Sequence, residues 1–419
     1  MKPLAPQPDS SPTTLRPVAW AAGLTLAGWA VTVIWPGVLL TFGIFTYGRI
    51  YLDSYAVLAA VDAVRAGADP HVANPLDAML RPHVYSDWWL ALRWLGLTRE
   101  HNFLLGSVWV GAFALTVWGL ARLRHLGEAL WLAVLMVSPS VLLVVNRANN
   151  DLVIFVLLTG CSLAATRATW WRTAVAVVCL WLATGLKYFP AAAVLAFLWL
   201  RPVRRMPAAL LAGLLAVGLA LASVWDEIGR SRFLISSGVY TMGAPMLWRD
   251  RGWPDKESML PGLLLMLGAA IILVWTRATA GLTTRGQPRE RWLAAMGAVV
   301  LLTCFLAGMN YAYRWIFALW PALWLWRRAT EGQLPARQSW AARLACALVG
   351  LCLWMDGCFC ATINLFFPYH TPAWEEHMKL VWRLWTQPLN WLLMLLLAGW
   401  LLEGALATVK EWWGVRHEQ

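Results

Sequence analysis

Charged side chains are scarce in this sequence. Asp, Glu, Lys and Arg make up 13% of its 419 residues, whereas 60% are hydrophobic. That ratio excludes a soluble globular domain and implies a polytopic membrane protein. Acidic residues are the scarcer of the two signs, 22 against 34 basic, which leaves a net charge of +12. The placement of this excess excludes nucleic acid as its partner. It gathers in short connections, at Arg122 and Arg124, Arg167 and Arg172, Arg201, Arg204 and Arg205, Arg277 to Arg291, and Arg327 to Arg343. Short basic loops mark the cytoplasmic side. The chain is therefore expected to pass many times through the inner (plasma) membrane with both termini in the cytoplasm.

Other absences narrow the function. The seven cysteines all fall within apolar runs, so neither a disulfide framework nor a zinc site is indicated. A soluble nucleotide-binding unit and a Gly-rich phosphate loop are both missing, which argues against a nucleotide-sugar site. No internal repeat divides the chain into halves, as a two-bundle transporter would require.

What the sequence does hold is a succession of membrane-length apolar runs from Val18 to Val409. They predict an all-α integral membrane protein of about twelve spanning helices in one domain, residues 18–409. A Pro- and Ser-rich tail (1–17) precedes it, expected to be disordered, and a short tail (410–419) follows. Val18 to Leu40 and Ala129 to Val145 each read as one span, and the last span begins at Pro388. Thr173 to Leu200 is too short for two full spans and is broken at Gly185-Leu-Lys-Tyr-Phe-Pro190, so a hairpin of short helices with Lys187 at its tip is expected. The 31 tryptophans are expected in good part at segment ends, as interfacial belts. Two long outer loops stand out, 41–102 and 226–258.

The first of these loops carries the most information. On a helical wheel Ile50, Asp53, Val57, Ala60, Val61 and Val64 share one face, and Tyr51, Tyr55 and Asp62 fall away from it. Asp53 thus lies on the apolar stripe of an interfacial helix, a costly position that points to function. Gly67-Ala-Asp-Pro70 stops that helix. Asp62, Asp69 and Asp77 read as ordinary loop carboxylates. The expected topology brings four elements to one level: Asp53, the turn Asn146 to Asp151 with Arg147, Lys187, and Arg314 with Tyr311 and Tyr313. One carboxylate among three cations suits a lipid phosphate. The cations would stabilise a phosphate leaving group, and the carboxylate would take a proton from an attacking hydroxyl. Asn150 and Asp151 also stand where caps for a helix from Leu152 belong. His71, His83 and Asp87 have no fixed ligand spacing, so no metal is assigned. Asp356, inside a span, needs a partner there.

The stretches Leu52-Asp-Ser-Tyr55 with Gly67-Ala-Asp-Pro70, Asn146-Arg-Ala-Asn-Asn-Asp-Leu152, Gly185-Leu-Lys-Tyr-Phe-Pro190 and Asn310-Tyr-Ala-Tyr-Arg314 occur in that order along most of the chain. Together they resemble the GT-C superfamily of polyprenyl-phosphate-dependent glycosyltransferases, and within it glycosyltransferase family 87. The resemblance implies a GT-C-like bundle with first-loop helices on the membrane surface and Asp53 as the catalytic base. It also implies an inverting transfer of mannose or another hexose from a polyprenyl-phosphate sugar to a glycolipid or polysaccharide acceptor outside the cytoplasm. No cofactor is implied beyond that donor. Lys187, Arg314 and Arg147 are expected to hold the donor phosphate. Tyr55, His71, Asp87, Trp88, Asn150, Asp151, Asn310 and Tyr313 are expected to line the sugar and acceptor side. The rival readings are a lipid or lipid-linked-sugar flippase and a polysaccharide ligase or polymerase.

Overall fold

A computed structural model describes residues 15–417, apart from 47, 73, 167–168, 200–202, 232–238, 250–254, 281, 283–286, 331, 333 and 368–370. Most of the expected disordered tail, parts of the second long loop and the last two residues lie outside the described residues. Helix α1 (Leu15–Ile34) is followed by the short α2 (Gly37–Thr41). Pro36 divides what was expected as a single span, because a proline disfavours helix in the residue before it. The first loop contains α3 (Leu52–Arg65) and 3-10 helices at Asp87–Leu95 and Arg99–His101, and leads into α4 (Asn102–Leu120). Next come α5 (Leu126–Met136) and α6 (Pro139–Arg147), bent by 59° against each other. One span was expected there. The bend falls where the Ser138 hydroxyl accepts from the Val141 amide and Pro139 takes the first helical position, a helix start inside an apolar run.

The chain continues through α7 (Asp151–Ala165), α8 (Trp170–Leu186), a 3-10 helix at Phe189–Trp199, α9 (Met206–Ser223), α10 (Trp225–Ser231), α11 (Met246–Arg249) and α12 (Asp255–Trp275). It ends with α13 (Pro288–Ala307), a 3-10 helix at Ala312–Ala318, α14 (Leu319–Thr330), α15 (Ala336–Phe366) and α16 (Pro372–His417). The expected break at Lys187 is present, and α8 packs against the 3-10 helix that follows it. Pro388 does not start the last helix but lies inside α16, which extends through most of the expected C-terminal tail. A two-residue antiparallel pairing, Thr241 opposite Tyr311 and Met242 opposite Asn310, joins the second loop to the turn after α13.

Six of the described helices are long and apolar enough to cross a membrane, or up to seven if α5 and α6 form one bent span; four shorter apolar helices accompany them. The bundle has an inside. The apolar window of α13 is 72% buried by protein, against 22% for α1 and 28% for α4 and α9, so α13 is central and the others form the periphery. Trp292, Trp315, Trp324 and Trp400 are fully buried in the core. There the indole N–H pins helices together: Trp292 Nε1 donates to Trp199 O at 3.0 Å and Trp400 Nε1 to Leu282 O at 3.1 Å. The tryptophans therefore divide between exposed positions and core pins. Asp356 finds its partner in Trp382, whose Nε1 donates to Oδ1 at 3.1 Å.

At the start of α13 a buried ion cluster ties three elements. Arg327 reaches Glu128 Oε2 at 2.9 Å and Glu290 Oε1 at 2.7 Å, and Arg124 adds a contact to Glu290 at 3.4 Å. The polar site described next lies at the other end of α13, roughly 30 Å away at 1.5 Å per residue.

Candidate functional site

Helix α3 begins abruptly. Tyr51 adopts a left-handed conformation (φ 61°) and its amide donates to Asn146 O at 3.1 Å, which sets the first turn of α3 against the end of α6. The helix stops at Gly67 (φ +77°): the Gly67 amide bonds Val64 O at 3.1 Å and the Ala68 amide bonds Ala63 O at 2.9 Å. This is a Schellman closure, as the Gly-Ala-Asp-Pro stop implied. Burial of α3 differs from expectation. Ser54, Tyr55, Leu58 and Ala59 are buried along with Asp53 and Val57, and Ile50 lies outside the helix and is exposed. The supposed outer face is covered by the 3-10 helix at Asp87–Leu95 and by the start of α4. Ser54 Oγ donates to Asn102 Oδ1 at 2.6 Å, Arg65 reaches Leu97 O and Arg93 O at 2.6 Å, and Arg99 Nε reaches Asp62 at 2.9 Å.

Asp53 is held by both oxygens. Arg147 forks onto it, Nε to Oδ2 at 2.9 Å and Nη2 to Oδ1 at 2.7 Å. Asn149 Nδ2 donates to Oδ2 at 2.7 Å, and Arg81 Nη1 lies 3.5 Å from Oδ1. Burial by itself raises the pKa of this carboxyl, but the charge and hydrogen bonds of Arg147, then Asn149 and Arg81, outweigh it and hold Asp53 below the usual carboxylate range. Arg147 is thus engaged by Asp53 here and does not stand free beside the other expected phosphate ligands. Arg81, which the sequence reading passed over, is aimed by Asp77, with Nε to Oδ2 at 2.9 Å and Nη2 to Oδ1 at 3.0 Å. Asp77 is therefore no ordinary loop carboxylate but a buried one, 3% exposed.

A second centre adjoins the first. Lys187, in extended conformation where α8 breaks, donates to Asp151, to Asn150 Oδ1 at 2.6 Å and to Asn149 Oδ1 at 3.3 Å. Arg314 Nε stands 3.9 Å from Asp151 Oδ2, too far for a hydrogen bond, and both atoms are buried without a partner, as is Asn150 Nδ2. Aromatic rings wall this centre: Lys187 Nζ is 5.6 Å from the Tyr85 ring centre and 5.8 Å from those of Phe189 and Tyr313, and the Arg314 guanidinium lies 4.4 Å over Phe189. Burial and then the Asp53 charge push the Tyr85 hydroxyl above its ordinary pKa, so it remains a proton donor. Asn149 joins the two centres. Its Nδ2 faces Asp53, and its Oδ1 faces Lys187 and accepts from the Asp151 amide at 2.9 Å. The capping bond at the start of α7 thus comes from Asn149, not from Asn150.

The other expected site residues divide. Tyr313 lines the Lys187 centre and stacks on Tyr311 at 5.4 Å. His71 Nε2 pairs with Asp87 Oδ1 at 2.7 Å, and the His71 ring lies 5.4 Å from His83, which in turn is 5.8 Å from Tyr85. These residues border the site through Tyr85. Trp88 instead supports it from behind. Its ring covers Gly185, where an added Cβ would come within 2.3 Å, and it meets Trp181 at 4.8 Å; neighbouring Trp89 Nε1 caps Leu186 O at 3.0 Å. Tyr55, two residues beyond Asp53 and so on nearly the opposite side of α3, carries the Arg49 guanidinium 4.4 Å over its ring. Asn310 is spent on the last carbonyls of α13, Cys304 O and Gly308 O. Tyr55 and Asn310 therefore do not join the site.

No family model, curated protein or solved structure matches this chain. Arg81, Arg147, Lys187 and Arg314 face Asp53, Asp77 and Asp151, so the linked centres hold one positive charge in excess. Among the described residues no group of three or more His, Cys, Asp or Glu is placed to hold a metal. The arrangement leaves Arg314 the least satisfied cation, beside Asp151, with Asp53 linked to that centre through Asn149.

Proposed function

We propose that the protein is a membrane glycosyltransferase that uses a polyprenyl-phosphate sugar, with a GT-C-like bundle of about twelve spans. On this reading the termini lie in the cytoplasm and the site opens on the far side of the inner membrane. Six or seven described helices are long enough to span, and the reading requires the four shorter apolar helices to cross as well. The single observation that carries the proposal is the gap between Arg314 Nε and Asp151 Oδ2, with Asn150 Nδ2 beside it. Buried polar atoms left unpaired are costly, and two of these three, Arg314 Nε and Asn150 Nδ2, are donors that an anion would satisfy in a centre where Lys187 and Arg314 face the single carboxylate of Asp151. A phosphodiester, the linkage of a polyprenyl-phosphate sugar, carries one negative charge.

In the reaction the acceptor hydroxyl oxygen bonds to the anomeric carbon as the bond from that carbon to the phosphate oxygen breaks. The hydroxyl proton passes to Asp53, and the lipid phosphate leaves with one further negative charge. Arg314 and Lys187 face that charge. Displacement on the anomeric carbon from the opposite side inverts it. Asp53 in its present grip is a weak base. The arriving phosphate competes for Arg147, and loss of that fork raises the basicity of Asp53 at the moment it is required.

The test is sugar transfer from radiolabelled polyprenyl-phosphate mannose to mixed glycolipid acceptors by purified protein. Wild type is expected to transfer, and Asp53→Asn to lose at least about a hundredfold in rate while still binding donor, the scale of a lost general base. Lipid movement across proteoliposomes without any transfer would replace this reading with the flippase.

A further inference from the structure

Both ring nitrogens of His71 face acceptors. Nε2 lies 2.7 Å from Asp87 Oδ1, and Nδ1 lies 3.0 Å from the backbone oxygen of His83. A neutral imidazole carries one N–H. In either neutral tautomer one ring nitrogen therefore turns a lone pair on an oxygen, and only the doubly protonated ring donates to both. The Asp87 carboxylate is available for this contact because Ser86 caps the helix that Asp87 begins, its Oγ accepting from the Trp88 amide at 3.2 Å.

The two contacts join segments that bear on the site from different directions. The His83 amide bonds Pro70 O at 2.7 Å, so residues 70–83 close into a loop at the same point. That loop carries Asp77, which aims Arg81 toward Asp53. Past its end, the His83 ring meets Tyr85, whose own ring faces Lys187. Asp87 opens the 3-10 helix whose Trp88 docks on Gly185, two residues before Lys187. His71 thus ties the Arg81 loop to the Trp88 dock.

We propose that His71 is a positioning residue whose charge latches the first loop: as imidazolium it holds the Arg81 loop and the Trp88 helix together, and loss of its proton opens one side of the latch. The inference goes beyond the glycosyltransferase reading, since it concerns how the loop is held and not what the site transfers. Imidazole changes charge between about pH 5 and 8. The latch is therefore complete in acid and loses one bond as pH rises through that range. Asp87 is half-exposed, so its charge alone adds little; the effect comes from the lost bond and the lone pair that replaces it. The other ionisable groups near the ring are Asp69, whose carboxylate accepts from the His71 amide at 2.9 Å, and His83 at 5.4 Å between ring centres, with Tyr85 behind it. Arg81, in the same loop, is turned to Asp77 and Asp53. Of these groups only His83 is another imidazole.

The test is hydrogen–deuterium exchange on the full chain in an amphipol without added ligand, at pH 6 and pH 8.5, with uptake corrected for the intrinsic exchange rate at each pH. Peptides covering the His83 and Trp89 amides, which bond Pro70 O and Ser86 O, report the latch. In wild type their protection is expected to fall at least about fivefold from pH 6 to pH 8.5, the scale of one hydrogen bond. His71→Phe removes both contacts and should show the low protection at both pH values. Asp87→Asn should show the high protection at both, because the neutral ring can donate from Nδ1 to His83 O while Nε2 accepts from the new amide. Peptides from α13 (Pro288–Ala307), unchanged in all three proteins, report that the variants fold. Equal protection at both pH values in wild type overturns the inference, as does wild-type protection in His71→Phe. A wild-type pH response retained in Asp87→Asn overturns it as well and assigns the response to His83. No arm involves a sugar or a lipid phosphate, so each of these failures leaves the proposed function standing.

Discussion

Asp53 accepts hydrogen bonds on both oxygens from within the protein, and its pKa is depressed. A depressed carboxyl stabilises the fold fully above its unfolded value of about 3.9, and that contribution is lost as pH falls through the lower folded value. Thermal unfolding followed from pH 6 down to pH 2 is expected to show this loss in wild type. In Arg147→Ala it should begin at higher pH, on top of a loss of about 3 kcal/mol at neutral pH for leaving a buried charge without its main partner. An unchanged profile would remove Arg147 as the cause of the depression. Legibility at this scale was uneven. Asp53, Lys187 and Arg314 could be found in the sequence because each is a charge beside an apolar run or at a helix break. Arg81 and Asp77 could not, because they are polar residues among other polar loop residues and only the folded first loop brings Arg81 to Asp53; Asn149 lay within the expected turn, but nothing local set it apart from Asn150. Tyr55 and Asn310 are placed apart from the cluster for the converse reason: their neighbours in sequence belong to it, but their side chains engage Arg49 and the carbonyls at the end of α13.

The elements place these residues through contacts that tolerate little change. The close approach of Trp88 to Gly185 lets the first loop dock on the end of α8, where Lys187 leaves the helix. Gly185→Leu is expected to lift the Asp87–Leu95 segment off α8. The measurement is limited proteolysis within residues 66–99, which should cut faster in the variant, with donor binding at least tenfold weaker; equal cutting would show that the dock is not needed. Helix positions were largely readable, since apolar length and the Gly67 stop are local properties. Three boundaries were not. Pro36 ends α1 and Pro139 starts α6, yet Pro388 lies inside α16, so the same residue type breaks one helix and is absorbed by another. A proline in an apolar helix is tolerated when neighbouring segments satisfy the freed backbone, and local sequence does not reveal those neighbours.

For the whole molecule, the buried cluster of Arg327, Glu128 and Glu290 and the candidate site occupy opposite ends of the central helix α13. Arg327→Ala leaves two buried carboxylates without their main partner, and a loss of about 3–5 kcal/mol in unfolding free energy is expected. Thermal unfolding in detergent reads it; a drop equal to that of an exposed control such as Arg337→Ala would show that the cluster does not hold the bundle. Donor affinity of the folded fraction should be unchanged, because the cluster touches nothing at the site. That the chain is an all-helical bundle able to enter a membrane was legible from composition and run length. The way its two polar ends are divided was not, because each draws residues from segments far apart in sequence. The amide of Asn149 has a consequence for timing. With its nitrogen on Asp53 and its oxygen on Lys187, it cannot follow a shift of one without loosening the other, so a ligand that displaced Lys187 would be felt at the carboxylate without any lid. Under the proposed function, that wiring would keep the base idle while the site is empty and spare an activated sugar from water, and Asn149→Ala is then expected to raise the ratio of donor hydrolysis to transfer.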